Sequence, residues 1–525
     1  MTARHAGLLL PLFSASSSSS WGIGELPDAA VLGEWLEAAG LDRLMLLPLG
    51  TMPDGETSPY SAASAMAIDP IYIAVAEVDD FALAGGIEAL DAGMREHLDA
   101  AVGAPAVSYA HVRRVKAAAL DLAFERFVEH DWTRHTGRAA AFASYVAREA
   151  WWLDDYALFQ ACAAEWPGVS WRQWPEPIRD RHPEALSAAW KHFERRILRE
   201  QYAQWIADEQ WQEAREALAA RGITVVGDLQ FVVALESADV WARADEYLLD
   251  VSVGAPPDAF SAEGQNWKLP GYRWDVIAAS GYELMRVRAH RAAELFDGIR
   301  IDHLVGLYRT YNIPEEGHPF FLPGDEHRQL EQGEAVLHAF KQTGALLLAE
   351  DLGTVPDFVR ASMARLGVPG TKVLRWERRW HEHGQPFIDP QDYPELSVAM
   401  TGTHDTDTLA GWWEGAHPDE RRALCGLPAM RARGLGDPRE PWGDRLRDAL
   451  LDLAWHARSS ELFVLPQDLF GWKVRINVPG VVNASNWTWR LPWPVDTLSR
   501  EAEPARRADA IRAISSEAGR IRPSV

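Results

Sequence analysis

The stretch Gly298-Ile299-Arg300-Ile301-Asp302-His303 carries the pattern that decides the fold. It is a short, mainly apolar run that passes directly into polar residues able to do chemistry. The same pattern recurs at residues 44–49, 223–228, 345–351 and 398–405. Apolar runs without regular polar alternation are typical of parallel strands that are covered on both faces. We therefore predict a sheet of buried parallel strands.

Helical segments separate most of these runs, for example at residues 281–296 and 329–343. Alternation of strands and helices predicts either an α/β barrel or a doubly wound sheet. In a barrel, residues at the carboxyl ends of the strands meet at one mouth. One polar residue there could be a cap or an ion-pair partner, but the whole set predicts an active site: Asp228, Arg300, Asp302, His303, Glu350, Asp351, His404 and Asp405.

One catalytic domain is predicted over residues 1–525, because a barrel with insertions reaches this length. Residues 78–221 are rich in Ala, Arg, Glu and aromatic residues, which predicts a mainly helical insertion. A second helical insertion is predicted at residues 416–450.

Composition restricts the possible partners. The net charge of −24 disfavours nucleic acid and anionic membrane surfaces, whereas a neutral ligand is easier to accommodate. The 24 tryptophans suit stacking on sugar rings. No apolar stretch approaches the ~20 residues of a membrane span.

The compartment can be predicted from the N-terminus and the cysteines. The apolar run at residues 7–13 has the order of a short signal peptide, but Pro11 interrupts it, and we favour a first buried strand. Cys162 and Cys425 have no disulfide or zinc-site spacing. Both observations fit a reducing, cytoplasmic location.

Three carboxylates at the predicted strand ends fit cleavage of a glycosidic bond with retention of configuration. That reaction needs a nucleophilic carboxylate and a carboxylic acid that protonates the leaving oxygen. Asp302, Glu350 and Asp405 supply such a pair and a third acid that could bind sugar hydroxyls. Arg300 lies two residues before Asp302 on the same side of a strand, so we expect it to hydrogen-bond Asp302 and to lower the pKa of that carboxyl.

His303 and His404 lie next to two of these acids, which suggests contacts with sugar hydroxyls. The competing interpretation is a metal centre, because histidine and carboxylate side chains also ligate divalent ions. No His-x-His or His-x-x-x-His spacing occurs near the strand ends, so we expect no metal. No phosphate-binding glycine loop precedes a helix in the right context, so we expect no organic cofactor.

Short motifs follow one another along nearly the whole chain. They are Trp21-Gly22-Ile23-Gly24-Glu25, Leu47-Pro48-Leu49-Gly50, Ser58-Pro59-Tyr60, Trp152-Leu153-Asp154-Asp155-Tyr156, Gly227-Asp228-Leu229, Ser237-Ala238-Asp239-Val240-Trp241, Pro256-Pro257-Asp258, Arg300-Ile301-Asp302-His303, Ala349-Glu350-Asp351-Leu352-Gly353, Thr401-Gly402-Thr403-His404-Asp405 and Asn486-Trp487. In this order they resemble the amylomaltases, or disproportionating enzymes, of glycoside hydrolase family 77.

The resemblance implies an α/β fold, a (β/α)8 TIM barrel with helical and loop insertions. A further insertion at residues 242–275 would carry a loop over the active site. Asp302 would be the nucleophile, Glu350 the general acid and base, and Asp405 the acid that binds the 2- and 3-hydroxyls of the reacting ring. Substrate-binding residues are implied at Tyr60, Asp228, Arg300, His303, His404, Asp258, Phe260 and Trp267. The implied partners are maltooligosaccharides and α-1,4-glucans.

The chain departs from the family pattern at several positions outside these three carboxylates. Leu304 and Val305 follow the Arg-Ile-Asp-His motif, Lys268-Leu269-Pro270 follows Trp267, and Arg375-Trp376 replaces a usual Gln-Phe. These differences leave acceptor preference, product size and remote glucan binding open.

The leading hypothesis is transfer of α-1,4-glucan segments to the 4-hydroxyl of an acceptor sugar. The first alternative is an α-1,4-glucan hydrolase on the same barrel. A second is a glucan-binding protein without activity, and the presence of Asp302, Glu350 and Asp405 argues against it. A third is a metal-dependent barrel hydrolase.

Overall fold

The computed structural model describes residues 3–257, 263–481 and 483–521. The strands in this part of the chain are β1 (His5–Leu9), β2 (Arg43–Leu46), β3 (Thr224–Leu229), β4 (Tyr247–Ala255), β5 (Gln265–Tyr272), β6 (Gly298–Ile301), β7 (Thr310–Pro314), β8 (Phe320–Leu322), β9 (Leu346–Ala349), β10 (Gly370–Val373), β11 (Ser397–Met400) and β12 (Glu461–Val464).

Eight of these strands form a closed barrel in the order β1-β12-β11-β10-β9-β6-β3-β2, and every neighbouring pair is parallel. The predicted (β/α)8 barrel is therefore confirmed, and a doubly wound sheet is not formed. All five predicted strand runs lie in the barrel as β2, β3, β6, β9 and β11. The apolar run at residues 7–13 contributes to β1, in agreement with the interpretation as a first buried strand.

Two barrel strands, β10 and β12, were not predicted. Strand β10 reads Gly-Thr-Lys-Val and β12 reads Glu-Leu-Phe-Val, so each has only four residues and begins or continues with polar ones. Such runs give too short an apolar signal to separate a strand from a loop. They form strands because they pair with the neighbouring strands of the barrel.

Helices connect most of the barrel strands. They are α1 (Asp28–Ala39), α2 (Asp79–Leu83), α3 (Ala92–Gly103), α4 (Tyr109–Phe127), α5 (Gly137–Glu165), α6 (Glu176–Arg179), α7 (Pro183–His192), α8 (Glu194–Ala220), α9 (Ala238–Ala242), α10 (Trp274–Ala279), α11 (Glu283–Leu295), α12 (Val305–Tyr308), α13 (Glu326–Lys341), α14 (Asp357–Leu366), α15 (Leu409–Gly415), α16 (Pro418–Cys425), α17 (Pro428–Ala432), α18 (Asp444–Trp455), α19 (Pro466–Phe470) and α20 (Ala502–Glu517). In the described part of the chain, no helix combines the length and apolar character needed to cross a membrane.

Local sequence signals explain where several helices begin and end. The hydroxyl of Thr136 accepts a hydrogen bond from the amide of Ala139 and caps the N-terminus of α5. Gly40 ends α1 with a φ of 72°, a left-handed conformation that glycine adopts without a steric penalty. These signals fix the ends of elements, while burial against the barrel stabilises their middles.

The long connections after β2, β3 and β6 carry the additional structure. The β2–β3 connection contains α2 to α8, which span most of residues 78–221. Strands β4 and β5 pair antiparallel within residues 242–275, and β7 and β8 from the next connection extend them into a sheet of order β5-β4-β7-β8. Residues 416–450 contain α16, α17 and the first half of α18.

Closure of the barrel depends on the seam between β1 and β12, where His5 faces Glu461 and Leu8 faces Val464. Arg520, whose relative exposure is 0%, lies beside this seam. Its guanidinium donates hydrogen bonds of 2.7–2.9 Å to the carbonyl oxygens of His5, Trp455, Ala457 and Ser459. Buried carbonyl groups need such partners, because an unpaired polar group away from water is costly.

We predict that Arg520→Met lowers the thermal midpoint of unfolding. The change withdraws Arg520 from four carbonyl oxygens at the seam, of which those of Trp455 and Ala457 keep a donor in Arg4. Each buried group left unpaired costs roughly 1–3 kcal/mol. Circular dichroism melting would measure the effect. Arg506→Met, at an exposed position of α20, is the matched control and should melt with the wild type. Equal midpoints for both variants would show that Arg520 does not secure the seam.

Candidate active site

The carboxyl ends of β3 and β6 bring Asp228 and Arg300 together. The two residues are direct partners in the strand register. Nη1 of Arg300 lies 2.5 Å from Oδ2 of Asp228 and 3.3 Å from Oδ1 of Asp302. The predicted contact between Arg300 and Asp302 is therefore present, and it arises because residues two apart on a strand share a side.

Asp228 lies behind the site instead of facing into the cleft. Its side chain has 0% relative exposure, and Oδ2 also accepts a 2.5 Å hydrogen bond from the hydroxyl of Tyr60. The side chain of Asp302, by contrast, is 24% exposed. In this structure Asp228 orients Tyr60 and Arg300, and those two residues line the cleft.

Glu350 follows β9, and its carboxyl is held by two backbone amides. Oε2 accepts from the N–H of His303 at 2.9 Å, and Oε1 accepts from the N–H of Leu352 at 3.1 Å. His303 reaches this position with a φ of 45°, a left-handed conformation that costs a residue with a Cβ about 1 kcal/mol or more. The backbone next to Asp302 thus fixes the orientation of Glu350.

Asp405 follows β11 and is held from two sides. Oδ2 lies 3.3 Å from Nε2 of His404, and Oδ1 accepts a 2.6 Å hydrogen bond from the side-chain amide of Asn477. Arg475 donates to the backbone carbonyls of Asp405 and Asn477 at 2.7 and 3.0 Å, which ties the two segments together. Neither Asn477 nor Arg475 was predicted from the sequence as a site residue.

A cleft of about 1390 Å³ contains Asp302, Glu350 and Asp405 in its lining. On one side the ring of Tyr60 stacks on His404 with centroids 5.0 Å apart, and Trp487 lies 5.7 Å from Tyr60. Sequence analysis did not distinguish Trp487 from core tryptophans, but the structure places it in the cleft wall.

The opposite wall is formed around His303. The centroid of Trp267 lies 4.7 Å from His303 at an interplanar angle of 87°, and Phe231 lies 5.4 Å from the same ring. Trp267 thus lines the cleft, as do Tyr60, Arg300, His303 and His404. Asp258 and Phe260 lie outside the described residues.

Comparison with known proteins identifies the family. The family model for glycoside hydrolase family 77, described as 4-alpha-glucanotransferase, matches residues 10–496. The chain belongs to this family.

Relatives in the family are similar over nearly their whole length. The 4-alpha-glucanotransferase of Thermus thermophilus is 35% identical over 514 residues, which cover 93% of this chain and 95% of the relative. The 4-alpha-glucanotransferase of Synechocystis sp. is 32% identical, with 93% and 94% of the two chains covered.

Solved family 77 structures have the same fold. Amylomaltase from Streptococcus agalactiae, in complex with acarbose, superimposes with a TM-score of 0.81 at 24% identity, covering 99% of this chain and 100% of that one. Amylomaltase from Corynebacterium glutamicum gives a TM-score of 0.79 at 24% identity, covering 97% and 75%.

In this family 77 chain, burial gives both carboxyls next to Arg300 raised pKa values. Burial raises the pKa of Asp302 to about 6, although the charge of Arg300 opposes the increase. Burial raises the pKa of Glu350 to about 8, with Arg300 opposing and the charges of Asp302 and Asp351 adding to the increase. Arg300 lowers the pKa of Asp302, as expected, but the net shift is upward because desolvation of the carboxylate is the larger effect.

The pKa values of the two histidines of the family 77 site are shifted in opposite directions. Burial lowers the pKa of His303 to about 4, so its ring is neutral near pH 7. Burial would also lower the pKa of His404, but the charge and hydrogen bond of Asp405 raise it above its usual value. Burial would raise the pKa of Asp405, but His404 and Asn477 hold it at about 2. Asp405 is therefore ionised where Glu350 is protonated.

A metal interpretation has no support in the donor geometry. Among the residues that the structure describes, no group of three or more His, Cys, Asp or Glu side chains could hold a metal ion. Cys162 and Cys425 are buried and unpaired.

We predict that Asn477→Ala lowers kcat/KM on maltotriose by about tenfold. The change removes a hydrogen bond to an ionised carboxylate, which is worth about 1.5–3 kcal/mol, and allows the Asp405 side chain to turn. Initial-rate kinetics would measure the loss. Gln342→Ala, at an exposed amide after α13, should keep wild-type kinetics. Full activity of the Asn477 variant would contradict the positioning role.

Proposed function

We propose that this chain is a 4-α-glucanotransferase that transfers segments of α-1,4-glucan to the 4-hydroxyl of an acceptor glucan or glucose. The reaction is a retaining double displacement. The observation that carries the proposal is the pair of differently tuned carboxyls, Asp302 and Glu350, in one cleft of a family 77 barrel. Because their pKa values differ, one carboxyl can be an ionised nucleophile while the other stays a protonated acid, at a pH where both would ordinarily be ionised.

In the first half of the reaction, Asp302 attacks the anomeric carbon of the donor glucan. The bond from this carbon to the glycosidic oxygen breaks, and Glu350 gives its proton to that oxygen. The leaving chain departs with a new 4-hydroxyl, and the rest of the donor stays bound to Asp302 through an ester. Arg300, 3.3 Å from Asp302, favours the ionised nucleophile.

In the second half, the 4-hydroxyl of an acceptor sugar enters the position of the departed chain. Glu350, now ionised, takes the hydroxyl proton while the oxygen attacks the anomeric carbon. The ester bond to Asp302 breaks and the carboxylate is restored. Two inversions at one carbon give overall retention.

The surrounding residues hold the reacting ring. Asp405, whose carboxylate is 44% exposed, accepts hydrogen bonds from the ring 2- and 3-hydroxyls. Neutral His303 and the ring of His404, which both line the cleft, offer further hydrogen bonds. Tyr60 and Trp267 provide aromatic surface, and we propose Asp258 and Phe260 as further contacts.

Preference for a sugar over water separates this proposal from the hydrolase alternative. Relatives that carry the name 4-alpha-glucanotransferase support transfer, as does the close match along the whole chain. The presence of Asp302, Glu350 and Asp405 together in the cleft lining disfavours an inactive glucan-binding protein. We also propose a cytoplasmic location, which the two unpaired cysteines support.

Incubation with maltotriose tests the function directly. We expect glucose together with a ladder of longer maltodextrins, resolved by chromatography. Glucose and maltose without longer products would mean hydrolysis and would overturn the transferase proposal.

We predict that Asp302→Asn abolishes the ladder, with kcat reduced by roughly a thousandfold or more, because the amide cannot form the covalent intermediate. Asp250→Asn, at a β4 carboxylate that is 91% exposed, is the matched control and should leave the ladder intact. Rapid ladder formation by the Asp302 variant would place the nucleophile elsewhere.

The pH dependence of kcat/KM should be bell-shaped. Activity rises as pH increases through about 6, where Asp302 ionises, and falls through about 8, where Glu350 loses its proton. Initial rates on maltotriose across this range would measure both limbs.

Glu350→Gln, assayed with α-maltosyl fluoride, should lose the alkaline limb. Fluoride departs without protonation, so the glycosylation step no longer depends on the acid. An alkaline limb that persists in this variant would assign the upper pKa to another group.

A further inference from the structure

An exposed tryptophan stands in the cleft on the connection between β10 and β11. Trp380 has 45% relative exposure, and of the exposed large apolar side chains in the described residues it is the one that lines the cleft. An isolated exposed apolar side chain needs no functional explanation on an open surface. Within a substrate cleft it provides apolar contact area that a ligand can cover.

The Trp380 ring rests on a fixed support. The guanidinium carbon of Arg378 lies 5.0 Å from the Trp380 ring centroid and 4.9 Å from that of Phe387. The Arg378 side chain is only 9% exposed and pairs with Glu420 at 3.5 Å. Its Nε also donates to the carbonyl of Gln385 at 2.9 Å. The support therefore holds the indole in place before any ligand arrives.

The backbone that carries Trp380 is closed into a hairpin, residues 377–388. The amide of Ile388 donates to the carbonyl of Glu377, and the amide of Arg379 donates to the carbonyl of Pro386, both at 2.9 Å. Arg378 and Phe387 face each other as an antiparallel bridge. A preformed hairpin loses little conformational entropy when a ligand binds.

The hairpin follows β10 in the chain and lines the same cleft as the strand ends. Lys372 at the end of β10, then Trp376, then Trp380 line the cleft in sequence order. Glu350, after the neighbouring strand β9, lies in the same cleft. A chain that occupies the catalytic carboxyls and extends along this wall would meet Trp380 beyond the residues that hold the reacting ring.

We propose that Trp380 stacks on a glucosyl unit of an α-1,4-glucan remote from the bond that is cleaved, and so sets a preference for longer chains. The inference rests on the proposed function and adds the substrate length that the cleft favours. The ligand chemistry fits, because the C–H face of a neutral sugar ring can cover an indole without placing a charge near Arg378.

The test compares kcat/KM on maltotriose and maltoheptaose for Trp380→Ala, Trp380→Phe and Trp151→Ala. Loss of the aromatic platform should lower kcat/KM on maltoheptaose by about tenfold and change the maltotriose value less than about twofold. Trp380→Phe should recover most of the loss because it keeps a stacking surface. Trp151, 41% exposed on α5 and outside the cleft lining, is the matched control and should not alter the ratio.

An unchanged ratio for Trp380→Ala, or an equal loss on both substrates, would overturn the inference. Calorimetric titration with maltoheptaose in an Asp302→Asn background provides a second measurement that needs no turnover. There Trp380→Ala should weaken binding by a similar factor, and equal affinities would also overturn the inference. Failure of the wild type to disproportionate maltotriose would instead reject the proposed function, so the two failures are distinguishable.

Discussion

Closure of the barrel between β1 and β12 is the constraint on which the rest of the structure depends. The paired strands lie at opposite ends of the chain, and their register sets His5 against Glu461. Once the ring is closed, all eight carboxyl ends surround one mouth. Buried polar groups secure this seam, including a 3.2 Å ion pair between Arg43 and Glu461 and the hydrogen bonds from Arg520. Asp302, Glu350 and Asp405 come together at this mouth only because the barrel is closed at the seam between β1 and β12.

Within the mouth, the guanidinium of Arg300 lies at different distances from two carboxyl groups. Arg300 lies 2.5 Å from Asp228 and 3.3 Å from Asp302, so the fully buried acid receives the closer contact. Burial raises the pKa of Asp302 to about 6 and that of Glu350 to about 8, and in both cases the charge of Arg300 opposes the increase. The charges of Asp302 and Asp351 add to the increase at Glu350, so two similar carboxyl groups acquire the two protonation states that retaining chemistry needs.

The connections around the mouth carry the features in which this chain departs from the family pattern. Leu269 on β5, Val305 after β6 and Trp376 after β10 all line the cleft. The hairpin at residues 377–388 projects from the same rim. The carboxylates thus sit on strand ends, where geometry is rigid, whereas residues suited to substrate length sit on the connections.

The strand pattern of the sequence indicated an α/β barrel or a doubly wound sheet and located five barrel strands with candidate carboxylates after them, because buried parallel strands leave an apolar signal and polar residues follow them directly. The resemblance to family 77 selected the (β/α)8 barrel. The sequence did not reveal β10 and β12, the role of Asn477, or the position of Asp228 behind Tyr60 and Arg300. It also did not reveal that burial outweighs the charge of Arg300 and raises the pKa of Asp302. These properties depend on neighbours that are distant in the chain. Desolvation, hydrogen-bond partners and strand pairing are set by the three-dimensional surroundings of a residue, and only the tertiary structure decides them.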